Sequence, residues 1–259
     1  MSEFINTIDL LGDEVVANKI VDRSITEFND DILTSLGAEA FRGCGSLTSV
    51  DLPNVTSIGE KAFNACSSLT SVSLPNLEVI RERLFEGCSS LTSVSLPSAT
   101  YMHGTTFKNC SSLISVSLPN ARNNSIGSDF SGCFSLTSVF APKLTNLGGS
   151  CFYECRSLES LSFPSVENIG AYVFRGCVKL KSLSIPSVTK IGDEMFKFTP
   201  GNIIESITLP ATPPTIQSNS FNSINSACVF HVPAGSLSAY QNATNWSTLT
   251  NTYTFTEDA

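Results

Sequence analysis

Apolar residues recur along this chain with a long period, not only with the spacing of about 2 or 3.6 residues that marks a lone strand or helix. Phenylalanine stands at Phe41, Phe63, Phe85, Phe107, Phe130, Phe152, Phe174 and Phe196, at intervals of 22 residues with one of 23. Proline keeps the same rhythm at Pro53, Pro75, Pro97, Pro119, Pro142, Pro164 and Pro186, and cysteine at Cys44, Cys66, Cys88, Cys110, Cys133, Cys155 and Cys177. The unit reads F-x-x-C-x-S-L-T-S-V-x-L-P-x-V-T-x-I-G-x-x-x-F. One such unit cannot bury its own apolar face, so neighbours must stack, which predicts a solenoid.

Within a unit, Val50 and Leu52 alternate with Ser49 and Asp51, as a strand with one buried face requires. Pro53 has no backbone donor and ends that strand, after which Val55, Ile58 and Phe63 carry apolar side chains back around the coil. Gly59, repeated as Gly127, Gly148, Gly170 and Gly192, supplies a tight bend. The reading is an α/β repeat solenoid with one short parallel strand per repeat, loops and short helical turns on the other side, and coils roughly 4.8 Å apart. Ile25, Phe28, Leu33, Leu36 and Gly37 fit a degenerate first repeat. The expected organisation is an N-terminal cap over 1–24, the solenoid over 25–233 and a C-terminal cap over 234–259. In that last segment Tyr240 and Trp246 either cover the open end of the core or form a stacking platform for a ligand.

Hydrophobic content of 41% against 15% charged residues supplies a long core. A net charge of -8 without clustered Lys and Arg argues against nucleic acid and against an anionic membrane surface. Eleven of the 23 acidic residues fall between Glu3 and Glu60, which marks a solvated N-terminal end. No apolar run is long enough to insert in a membrane. The opening MSEFINTIDL has no basic start, apolar run or small-residue cleavage site, so no secretory signal is expected in these residues.

The pattern F-x-x-C-x-S-L-T-S-V-x-L-P-x-V-T-x-I-G, clearest in FRGCGSLTSVDLPNVTSIGEKAF, resembles the BspA-like or Treponema-type leucine-rich repeat from about Ile25 to Pro233. The ending VFHVPAGSLSAYQNATNW is similar to the terminal unit of such proteins from gut bacteria. The resemblance implies a leucine-rich-repeat right-handed superhelix of about ten repeats. It further implies a bacterial, protist or phage surface protein, placed at the cell surface or outside the cell, that adheres to host matrix proteins, epithelial cells or other microbes. It brings no fixed set of binding residues.

Catalytic chemistry finds no footing in the residues. His103 and His231 are the only histidines and neither sits in a nucleophile elbow, metal motif or phosphate loop. The cysteines recur once per coil, so they read as a ladder of buried thiols rather than a disulfide framework. Cys151 and Cys155 form an isolated C-x-x-x-C without a second pair or nearby histidine, so zinc is not expected, and Cys151 is the extra thiol expected to be most reactive. No enzyme activity, cofactor or metal is expected.

The exposed strand face repeats hydroxyls: Ser71, Ser73, Ser93, Ser95, Ser115, Ser117, Ser138, Ser160 and Ser162 among them. Such a ribbon is either a solubilised sheet with cross-strand hydroxyl contacts or a binding surface. Asp51 and Phe140 break the pattern, and Lys143 follows Phe140; an exposed aromatic among hydroxyls is the expected contact centre. The expected partner is a protein or glycan. The competing reading is a structural or host-recognition part of a phage or other assembly.

Overall fold

The computed structural model describes residues 24–123, 127–197 and 203–259, so the expected N-terminal cap lies outside the described residues. From there the chain winds into coils, each contributing a three-residue strand and, one corner later, a two-residue strand. The first ladder comprises β1 (Glu27–Asn29), β3 (Ser49–Asp51), β5 (Ser71–Ser73), β7 (Ser93–Ser95), β9 (Ser115–Ser117), β11 (Ser138–Phe140), β13 (Ser160–Ser162), β15 (Ser182–Ser184) and β17 (Ser206–Thr208). The second comprises β2 (Ser35–Leu36), β4 (Ser57–Ile58), β6 (Val79–Ile80), β8 (Tyr101–Met102), β10 (Arg122–Asn123), β12 (Asn146–Leu147), β14 (Asn168–Ile169) and β16 (Lys190–Ile191). Every pairing in both is parallel and in register, for example Val50 with Val72 and Asn168 with Lys190.

The second ladder is a departure from the one strand per repeat that alternation suggests. Two residues are too few to show a period, and Ile58, Ile80 and Ile169 read as ordinary corner hydrophobes until coil stacking pairs their backbones. Among the described residues, the return path between strands of the repeats contains no helix. It is a chain of turns, in which Arg42 N–H donates to Glu39, Cys44 to Phe41 and Leu47 to Cys44. Each turn needs a left-handed residue two positions before the phenylalanine, and this chain fills that site with side chains rather than glycine: Glu39, Lys61, Arg83, Thr105, Ser128, Ser150, Tyr172 and Glu194 all have φ between 47 and 62°. Such a conformation is costly for an L-residue. The stacked neighbours hold it in place, as when Lys61 N–H donates to Glu82 and Ser150 N–H to Ala171.

The core is built in columns. Successive phenylalanines from Phe41 to Phe196 are fully buried and stack with ring centroids 5.1–5.7 Å apart. Beside them run the thiols. Cys66, Cys88, Cys110, Cys133, Cys155 and Cys177 each donate from Sγ to the carbonyl of the phenylalanine one coil earlier, at 3.0–3.1 Å. Each such carbonyl already accepts the backbone N–H of its own coil's cysteine, so the thiol occupies its second lone pair. A small apolar side chain with one weak donor fits this column better than alanine or serine would.

The last coils change character. β17 pairs with β18 (Val229–Pro233), which pairs with β19 (Thr254–Asp258), and two short helices, α1 (Leu237–Asn242) and α2 (Trp246–Thr250), lie between these strands in sequence. Tyr240 and Trp246 are fully buried against Phe230 and Phe255, with Tyr240 Oη donating to Pro210 O and Trp246 Nε1 to Pro214 O, both at 2.7 Å. Buried this way, neither ring is a platform for a ligand.

Candidate functional site: the strand face around Phe140

The first ladder turns its middle residue inward, as with Val94 and Leu161, and its outer two residues toward solvent. Three side chains to a turn would overcrowd the corner that follows, and proline closes the strand at Pro97, Pro119 and Pro142 instead. The outer residues thus form two straight columns. One runs through Ser71, Ser93, Ser115, Ser138 and Ser160; the other through Asp51, Ser73, Ser95, Ser117, Phe140 and Ser162. Ser115 and Ser117 are half-buried, and the remaining members of both sets are exposed.

Phe140 is 58% exposed and stands opposite Ser117 in the neighbouring strand. It is not alone. Ile114, at the start of β9, is 49% exposed, and Phe134, in the turn before β11, is 44% exposed. These three lie on two adjacent coils, joined where Thr137 donates from both N and Oγ1 to Ile114 O. Arg156 covers the Phe134 ring at 4.9 Å and is itself held by Glu154 at 2.6 Å. Ile114 thus precedes β9, Phe134 lies in a turn and Phe140 ends β11, so three exposed apolar side chains border the hydroxyl columns on two adjacent coils, with a guanidinium over Phe134.

Ile114 and Phe134 were legible as departures from the repeat: Ile114 occupies the position of Thr48, Thr70, Thr92 and Thr137, and Phe134 that of Gly45, Ser67, Ser89 and Ser111. The other proposed members spread out. Lys143 is exposed and donates to Asn120 Oδ1 at 2.6 Å. Asp51 lies four strands from Phe140 in the ladder, roughly 19 Å at the usual strand spacing. Asp51 and Phe140 therefore do not share a single contact centre.

The thiols offer no nucleophile. Burial pushes Cys66 and Cys110 up to about 12 from the ordinary 9.0, and raises Cys88, Cys133, Cys151 and Cys155 well above it. This corrects the expectation for Cys151: fully buried in a column it shares with Ala62, Leu84, Thr106, Asp129 and Val173, and further disfavoured as thiolate by Asp129, it is not a reactive thiol. His231 pairs with Asp258 at 3.0 Å on the last two strands, far from His103 in sequence. Among the described residues no group of three or more His, Cys, Asp or Glu is placed to hold a metal, and no helix is long and apolar enough to cross a membrane.

A family model described as the BspA type leucine rich repeat region, with six copies, matches residues 34–155 and 145–257. No curated protein sequence matches the chain. Among solved structures, a leucine-rich repeat protein of T. pallidum is 32% identical, with 57% of this chain and 72% of that one covered and a TM-score of 0.50. The pneumococcal vaccine antigen PcpA is 15% identical over 91% of this chain and 68% of its own, with a TM-score of 0.53, which is a likeness of fold.

Proposed function

Because this chain belongs to the BspA-type leucine-rich repeat family, we propose that it is a non-enzymatic adhesion module at a bacterial surface whose strand face docks a protein partner around Phe140. The observation that carries this reading is the exposed trio Ile114, Phe134 and Phe140 on two adjacent coils of a face otherwise lined with hydroxyls. Protein interfaces concentrate their energy in a few aromatic and arginine anchors ringed by near-neutral polar contacts. Phe134 with Arg156, and Phe140 with its flanking serines, have that composition. The long flat ladder suits a macromolecule rather than a small molecule.

The test is a screen of the purified chain against arrayed host matrix proteins, followed by affinity measurements on Phe140→Ala. Loss of an anchor should weaken a verified interaction by about thirtyfold or more. The melting temperature should stay within about a degree, since the side chain is exposed. Unchanged affinity in Phe140→Ala combined with Ile114→Ser would sink the sheet-face assignment.

A further inference from the structure

The second ladder has a surface of its own, and it is unlike the first. Over β12, β14 and β16 the structure has an open groove of about 670 Å³, whose walls include Asn146, Asn168, Lys190, Asp193 and Gln217. Its floor is Gly148, Gly170 and Gly192. A Cβ on Gly170 would lie 2.6 Å from Gly149 N, and one on Gly192 would lie 2.7 Å from the Gly170 carbonyl carbon, so the coils stack too closely there for any side chain. Arg81 and His103 hold the equivalent positions three and two coils before Gly148, where the floor is no longer bare. Thr145 and Glu167, each immediately before a wall asparagine, line a second hollow of about 340 Å³ that reaches Arg122, Lys143 and Ser187. The consecutive pairs Thr145–Asn146 and Glu167–Asn168 set the two hollows side by side on the same coils, as a shallow trough over the second ladder and the corner before it.

We propose that this trough is a second ligand site, for an uncharged polysaccharide lying in extended form along the coils. Its walls alternate donors and acceptors. Asn168 Nδ2 donates to Asn146 Oδ1 at 2.9 Å and Asn146 Nδ2 donates to Thr145 Oγ1 at 3.0 Å, which orients both amides and leaves the exposed Asn168 with an acceptor oxygen facing solvent. Amides and hydroxyls of this kind match sugar hydroxyls, which both donate and accept. The ionic groups nearly balance: Arg122, Lys143 and Lys190 against Glu167 and Asp193, so neither a polyanion nor a polycation is favoured. A protein segment is a poor fit, because the lining hydrophobes Leu147 and Ile169 are buried in the core and no exposed aromatic lines either hollow. Strand addition is equally unsuited, since β14 is bonded on both edges by β12 and β16. The coil spacing is close to the length of one pyranose ring, so consecutive sugars meet consecutive coils.

The experiment is calorimetric titration of the full chain with hexasaccharides of β-linked glucose, mannose and N-acetylglucosamine, and with oligogalacturonate as the acidic probe. At least one uncharged probe should bind, and Asn168→Ala should weaken it by about tenfold, the worth of one well-placed hydrogen bond. Gln217→Ala provides the same readout from the far wall, with melting curves confirming that both variants fold. Phe140→Ala should leave sugar binding unchanged, which separates this site from the protein-docking face. Binding of none of the uncharged probes at millimolar concentration overturns the proposal. So does binding of the acidic probe alone, or binding that survives both wall substitutions.

Discussion

Two regions of this molecule build a core from the same aromatic residues and reach opposite geometries. Between Phe41 and Phe174 the rings stack almost parallel, with interplanar angles of 3–13° between successive coils. Beyond residue 203, Phe230 meets Phe221 at 88° and Trp246 at 90°, while Tyr240 meets Trp246 at 86°. A parallel column gives each ring two like neighbours, so its energy is spread evenly and one coil's contacts are interchangeable with the next. The terminal cluster is not interchangeable: Phe230 meets Phe221 and Trp246 edge-on but stacks on Phe255 at 17°, and Tyr240 and Trp246 each have a dedicated carbonyl. The repeats supply length, and the terminal cluster gives the stack a fixed C-terminal end.

The largest expected effect tests whether that end is a separable unit. Trp246→Ala removes the most voluminous buried side chain and orphans the Pro214 carbonyl, and should cost about 3–5 kcal/mol. Hydrogen exchange should then show residues 203–259 opening while amides between Phe63 and Phe174 stay protected. Uniform loss of protection along the chain would show that both regions melt as one unit, and the contrast would have no energetic meaning.

A smaller effect belongs to the ladder. Its thiols, with Cys66 and Cys110 near 12, are raised above the ordinary 9.0 by burial. A group whose pKa is higher folded than unfolded contributes its full stabilisation below the unfolded value and loses it as pH rises toward the folded one. Stability should therefore hold steady up to about pH 8.5 and fall as the pH rises above it. The terminal unit contributes only Cys228, also pushed up to about 12, so exchange at alkaline pH should rise first among the repeats. Equal alkaline loss in a variant with Cys66, Cys88, Cys110 and Cys133 all changed to Ala would refute the assignment.

The smallest effect is a gain. Thr105 is β-branched with φ of 61°, a conformation that repeat stacking imposes against its preference. Thr105→Gly should stabilise by about 0.5–1 kcal/mol once the looser unfolded chain is set against the relieved strain. A lower melting temperature would mean that the Thr105 side chain contributes more than its backbone costs.

Much of this architecture was legible because repetition turns a weak signal into a strong one. One Phe or one Pro says little, whereas eight Phe and seven Pro at fixed intervals place a column and a corner. Phe140 was legible for the same reason, as a break in the serine column. The second ladder was not, because two-residue strands carry no alternation and exist only through backbone pairing between coils. The trough was hidden more deeply. Glycine at positions 170 and 192 reads from sequence as a bend, and only the approach of neighbouring backbones shows that no side chain fits between the coils there. Ile114 and Phe134 carried a readable signal as substitutions at polar positions of the repeat, one that becomes informative when their coils are seen to be adjacent.

Each kind of hydrogen bond that crosses from coil to coil recurs at a fixed sequence distance, lengthened by one residue around the Phe107 to Phe130 step: Thr70 Oγ1 reaches Thr48 O, 22 residues back, and Thr137 Oγ1 reaches Ile114 O, 23 back. The same kinds of join recur along the stack, although strand pairing lapses between β5 and β7 and between β11 and β13. An in-frame duplication or loss of one whole coil therefore repeats joins the molecule already has and adds no new kind of interface. The molecule is built like a ruler whose graduations can be added or removed, so its reach and the number of positions it presents can vary between generations while its fold does not.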